Sequence, residues 1–161
     1  MKLADIQCGP GVIQGPYLVD CKSDFNLTQR YLDSNGINAS LQRQEDPDAL
    51  RKYLEAQPDR SIGLLLVDSM LGARMASARS TTVADRAAMR YEEYAGVDFI
   101  LENYPLIQRK VVLTVLYTKK GEVSVRRHCA QLRQDLPCPY VSKYRPEDLV
   151  RLIRQRFGAT R

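Results

Sequence analysis

Ile62-Gly63-Leu64-Leu65-Leu66-Val67-Asp68 is an aliphatic run closed by a carboxylate, and Ser69-Met70-Leu71-Gly72 follows it. Leu64 to Val67 give no polar alternation, the pattern of a strand covered on both faces, as in parallel sheets. Asp68 then falls where the strand emerges into a loop. Open parallel sheets collect their functional groups beyond the carboxyl ends of the strands. Aspartate is also an ordinary turn residue, so the segment alone leaves both a chemical and a plain structural role open for Asp68.

The flanking sequence repeats the theme. Pro16 to Asp20 reads as a first strand ending in an acid. Ser23 or Asp24 can cap a helix that carries Phe25, Thr28, Tyr31 and Leu32 on one face and ends at Asn35-Gly36. Ile37 to Gln42 is a second strand. Asp46-Pro47-Asp48 opens a second helix, with Leu50, Tyr53 and Leu54 as its apolar stripe and Pro58-Asp59 as its break. Lys110 to Thr118 is a β-prone fourth strand. A weaker helix spans Gly121 to Gln134, and Pro139 to Ser142 is a short fifth strand. A last helix follows Pro146, with Leu149, Leu152 and Ile153 inward and Gly158 at its end.

Strand and helix thus alternate five times. That predicts an α/β fold, a doubly wound five-stranded parallel sheet of flavodoxin-like order 2-1-3-4-5 with helices on both faces. Residues 1–15 read as an N-terminal extension, because Gly9, Pro10, Gly11 and Gly15 disfavour regular structure. The domain then covers 16–161. Residues 73–95 interrupt it as an insertion too long for an ordinary strand-to-helix loop, and Val83 to Tyr94 could be helical.

Composition excludes several classes. The 161 residues, 44% hydrophobic and 27% charged, suit one globular domain. No apolar run approaches the ~20 residues of a membrane span. The start, Met1 to Asp5, offers no secretion signal, and Cys8, Cys21, Cys129 and Cys138 lack paired spacing. The expectation is a cytoplasmic protein with reduced thiols. Net charge is +5, of which +4 falls on residues 143–161. A basic tail can attract nucleic acid, but no interleaved aromatics or nucleic-acid motif accompany it, so a solvated helix face is the favoured reading.

At the predicted strand ends stand Asp20, Asp68, Thr118 and Lys143. Carboxylates suit Mg²⁺, a carboxylate can attack phosphorus, and a hydroxyl and an ammonium can hold phosphoryl oxygens. With these four in order, the chain resembles the receiver domain of bacterial two-component response regulators (CheY-like). Val19-Asp20-Cys21-Lys22-Ser23-Asp24-Phe25 is similar to the acidic end of its first strand. Leu65 to Gly72 resembles the phosphoacceptor strand and loop. Leu116-Tyr117-Thr118 resembles the switch threonine, and Tyr140-Val141-Ser142-Lys143 the switch aromatic and the site lysine. The likeness covers roughly Pro16 to Phe157.

The resemblance implies that Asp68 accepts a phosphoryl group from a phosphohistidine of a histidine kinase or phosphotransferase. It implies Mg²⁺ held by Asp20, Asp68 and the Met70 carbonyl, phosphoryl oxygens held by Lys143 and Thr118, and Thr118 and Tyr140 as switch residues. It implies a signalling switch and not an enzyme, acting on a downstream protein or output domain, with a homodimer as an option. Three departures stand out. Cys21 replaces the second acid after strand one, Tyr144 replaces a proline after the lysine, and Leu71-Gly72 replaces a proline in the acceptor loop. The alternative is therefore a phosphorylation-independent pseudo-receiver that serves as a protein-interaction module. The chain is expected to be a stand-alone receiver or a fragment of a longer protein.

Other features give less. Cys21 beside Lys22 at a helix start could have a lowered thiol pKa. His128, the only histidine, supports no catalytic triad or histidine-rich metal site. Gly9 to Gly15 precedes a strand and lacks Gly-Lys-Ser/Thr, which rejects a nucleotide loop. No cofactor motif supports a flavodoxin-fold enzyme.

Overall fold

The computed structural model describes residues 11–71 and 93–158. The expected insertion at 73–95, and the helix expected within it, fall almost wholly outside the described residues. So do residues 1–10 of the N-terminal extension.

Five strands and five helices alternate through the described chain. They are β1 (Ile13–Leu18), α1 (Lys22–Ser34), β2 (Ala39–Gln44), α2 (Pro47–Ala56), β3 (Ile62–Val67), α3 (Ala95–Lys110), β4 (Val111–Thr118), α4 (Glu122–Gln131), β5 (Tyr140–Ser142) and α5 (Pro146–Phe157). The sheet is parallel throughout, in the order β2-β1-β3-β4-β5. This is the flavodoxin-like order expected from the alternation of strands and helices.

The sheet divides two cores by the period-2 alternation of its side chains. Leu18, Leu65, Val67 and Leu116 face α2, α3 and α4, where they meet Leu50, Leu54, Ile100, Ile107 and Val125. Tyr17, Leu64, Leu66, Val115 and Tyr117 face α1 and α5, against Leu32, Leu149 and Ile153. Every residue of β3 and β4 is buried, as a sheet covered on both sides requires.

Local chemistry sets the helix ends. The Asp46 carboxylate caps α2 by accepting from the Asp48 amide at 3.0 Å. Gly36 leaves α1 at φ +72°, where a side chain would be strained. In α1 the expected cap is displaced. Cys21 is the N-cap residue, without a side-chain bond, and Asp24 lies in the first helical turn.

Three other boundaries differ from the sequence reading. β1 starts at Ile13, so part of the supposed glycine-rich lead-in is strand. Gly15 is tolerated there because β3 runs unusually close: a Cβ on it would stand 1.5 Å from the Leu64 carbonyl oxygen. β2 runs two residues later than expected, over Ala39–Gln44. Lys110 ends α3 instead of opening β4, and that helix runs through Pro105. Its end is anchored by Lys110, which is buried and whose ammonium donates to the Gln57 carbonyl at 2.5 Å and pairs with Asp59 at 3.1 Å.

Candidate functional site: a lysine shared by two carboxylates

The strand register brings the carboxyl ends of β1, β3, β4 and β5 to one edge. Leu18 lies opposite Val67, Val67 opposite Leu116, and Thr118 opposite Ser142. Asp68 is the first residue beyond β3. Its amide continues the ladder by donating to the Leu18 carbonyl at 2.9 Å. The Lys143 amide does the same one strand further on, donating to the Thr118 carbonyl at 2.9 Å. Asp68 and Lys143 are thus fixed by backbone before any side-chain contact is counted.

Their side chains meet. The Lys143 ammonium donates to Asp68 Oδ2 at 2.5 Å and to Asp24 Oδ2 at 2.9 Å. Asp68 Oδ1 accepts from the Thr118 hydroxyl at 2.8 Å and from the Met70 amide at 3.2 Å. Thr118 is fully buried, and its hydroxyl oxygen accepts from the Lys120 amide. Only 6% of the Lys143 side chain and 10% of the Asp68 side chain reach solvent. The rings of Tyr17 and Tyr117 flank the ammonium at 5.6 and 6.0 Å, within cation–π range.

Electrostatics follow from this packing. Burial alone would lower the Lys143 pKa. The charge that Tyr17 takes on when it ionises at high pH, the Asp68 charge and the bonds to Asp68 and Asp24 outweigh it and hold the ammonium above its ordinary value. Partial burial would raise the Asp24 carboxyl. The bond and charge of Lys143, helped by Lys119 at 3.8 Å, hold it below the carboxylate range instead. Desolvation pushes the Tyr117 hydroxyl up to about 12, and the buried Tyr17 hydroxyl higher still. Lys143 and Asp24 are therefore ionised at neutral pH, with the tyrosines neutral.

Of the residues singled out from sequence, Asp68, Thr118 and Lys143 are in direct contact. Tyr140 borders them: its hydroxyl donates to the Lys120 carbonyl at 2.6 Å, two residues beyond Thr118. Met70 contributes its amide to Asp68, and its side chain is exposed. Asp20, expected to end the first strand, is half-buried two residues beyond the end of β1 at Leu18, and its carbonyl accepts from Arg43 at 3.1 Å. The second carboxylate on Lys143 is that of Asp24, which the sequence reading offered only as a helix cap. Its place in the first turn of α1, four residues after Asp20, was the available signal.

A second cluster was not foreseen. His128 Nε2 lies 2.7 Å from Asp98 Oδ1, and its ring stacks on Tyr94 at 4.2 Å and 4°. Lys120 sits over Tyr94 at 5.0 Å and pairs with Glu93 at 3.1 Å. The Ser69 hydroxyl donates to the Glu93 carbonyl at 2.6 Å, and the Gly96 amide to the Ser69 carbonyl at 3.0 Å. These contacts tie the loop after β3 to the start of α3 and to the loop after β4. Residues brought together from such distant parts of the chain leave no local sequence signal.

The Mg²⁺ implied by the resemblance can be tested against the donor set. Mg²⁺ asks for near-octahedral oxygen ligands at about 2.0–2.1 Å. Here both Asp68 oxygens accept hydrogen bonds, and Asp24 faces two ammonium groups. The acid of Asp20 is followed by a thiol, a poor donor for a hard cation. Among the described residues, no three His, Cys, Asp or Glu side chains are grouped to hold a metal ion. The residues present do not fit the group.

The topology and the edge of converging polar groups define a signal-receiver fold. In overall structure the chain is similar to the crystal structure of the signal receiver domain of a candidate LuxO repressor protein from Vibrio parahaemolyticus. The TM-score is 0.52 at 14% identity, over 91% of this chain and 92% of that one. No protein-family model and no curated protein sequence matches the chain.

Proposed function

We propose that the protein is a receiver-type signalling switch in which Asp68 accepts a phosphoryl group from a phosphohistidine of a kinase or phosphotransferase. One observation carries this reading: Asp68 stands between Lys143 at 2.5 Å and Thr118 at 2.8 Å. An ammonium and a hydroxyl on the same carboxylate are what a phosphoryl group gathering charge in its transition state requires.

The step balances simply. A carboxylate oxygen of Asp68 forms the O–P bond as the donor's P–N bond breaks. The electron pair goes to the imidazole nitrogen, which takes a proton from solvent. Lys143 and Thr118 then turn from the carboxylate to the phosphoryl oxygens. Movement of Thr118 strains the loop it caps, because its hydroxyl accepts from the Lys120 amide. Lys120 in turn accepts from Tyr140 and reaches Glu93 and Tyr94. A local charge change is thus passed to the surface around β5, α4 and α3, where a downstream protein or a second copy would sense it. The chain would act as a cytoplasmic switch and turn over no substrate of its own. No helix among the described residues is long and apolar enough to cross a membrane.

Intact-mass measurement after incubation with acetyl phosphate, with and without Mg²⁺, tests the reading. One phosphoryl group should appear on the wild type and none on Asp68→Asn. An unchanged wild-type mass under both conditions would refute it. The second reading, a phosphorylation-independent interaction module, is favoured by the tie of Lys143 to Asp24 and by Cys21 in place of a second acid.

A further inference from the structure

We infer that the Lys143 ammonium is the resident cation of the Asp24–Asp68 acid pair, and that the site is thereby closed to divalent metal ions. The inference concerns the charge balance of the site and goes beyond the question of whether Asp68 is phosphorylated.

Two carboxylates held close together require a counter-charge. In this chain it is built in. Lys143 bonds both, at 2.9 and 2.5 Å, from a position 6% exposed. Lys119 adds a second ammonium 3.8 Å from Asp24. Two positive charges therefore balance two negative ones without any bound ion. The rings of Tyr17 and Tyr117 close the sides of the Lys143 ammonium and make its displacement outward costly. The other oxygen of Asp68, Oδ1, accepts from the Thr118 hydroxyl and the Met70 amide.

A Mg²⁺ ion bridging the two acids would have to displace an ammonium that already bonds both. It would also sit beside two like charges, and it sheds its water reluctantly. Asp24 is the residue that builds this arrangement. Without it, Lys143 would neutralise Asp68 alone.

The experiment is a Mg²⁺ titration of the wild type and of Lys143→Met, followed by amide NMR shifts at Asp20, Asp68 and Met70. The wild type should show only small, non-saturating shifts into the tens of millimolar. Lys143→Met removes the ammonium that both acids share, leaves only Lys119 beside Asp24, and should show saturable shifts in the low-millimolar range. Saturation of the wild type in the low-millimolar range overturns the inference. So does a folded Lys143→Met that stays unresponsive. If that variant does not fold, the wild-type titration decides alone. Failure of phosphoryl uptake would refute the proposed function and leave the titration result standing, so the two failures are distinguishable.

Discussion

At Lys143 the protein buries an ammonium between two carboxylates and two aromatic rings, and the energetics of that choice can be measured. Removing one partner of a buried ion pair costs more than removing both, because an isolated charge stays behind. Lys143→Met should destabilise the protein by about 3–5 kcal/mol at neutral pH. Asp68→Asn should cost less, about 1–2 kcal/mol, since Lys143 keeps Asp24. The double variant should lose less than the sum of the two. Urea denaturation checks all three, and strict additivity would contradict the coupling. Asp24 adds a pH dependence. Its carboxyl is held low in the folded state, so its contribution is present above the unfolded pKa of about 3.9 and is lost as pH falls through the folded value. The stability gap between wild type and Asp24→Asn should be full above about pH 5 and close below it. A gap that stays constant to low pH would contradict this sign.

Among the elements, α3 most directly affects the position of Asp68. Its second residue, Gly96, lies against the acceptor backbone, and a Cβ there would stand 1.8 Å from the Asp68 carbonyl oxygen. Neither backbone can give way as a flexible side chain would. Gly96→Ala should cost about 3 kcal/mol or more and shift the Asp68 amide resonance, whereas a silent substitution would show that the contact is loose. The start of α2 offers a milder test. Asp46→Ala removes the cap on the Asp48 amide and should lower stability by about 1 kcal/mol in thermal melts. The continuation of α3 through Pro105 shows burial outweighing propensity. A proline inside a helix removes one backbone donor, yet Ile107 and Lys110 beyond it are buried and hold the helix on course.

For the whole molecule, one sheet serves two cores, so the two sides should unfold together. Leu32 packs on the α1–α5 side and Ile100 on the α2–α4 side, both fully buried. Leu32→Ala and Ile100→Ala should each cost about 2–5 kcal/mol and shift the urea midpoint without changing the slope. A separate early transition for either variant would show that the faces are independent.

The order of strands, the doubly covered sheet and the trio Asp68, Thr118 and Lys143 were all legible in the chain. Aliphatic runs and turn residues carry the first two, and each member of the trio is fixed by its place at the end of its own strand, a local property. Three things were not legible. They are the start of β1, the identity of the acid facing Lys143, and the clamp of Glu93, Tyr94, Lys120 and His128. Each depends on how closely elements distant in sequence approach one another: β3 against Gly15, the first turn of α1 against β5, and α3 against α4. Such distances follow from packing and from the balance of buried charge. The residues state that this protein has an acid, a hydroxyl and a lysine at one sheet edge. The fold alone settles that the lysine is shared with Asp24, because a buried ammonium takes every carboxylate within its reach.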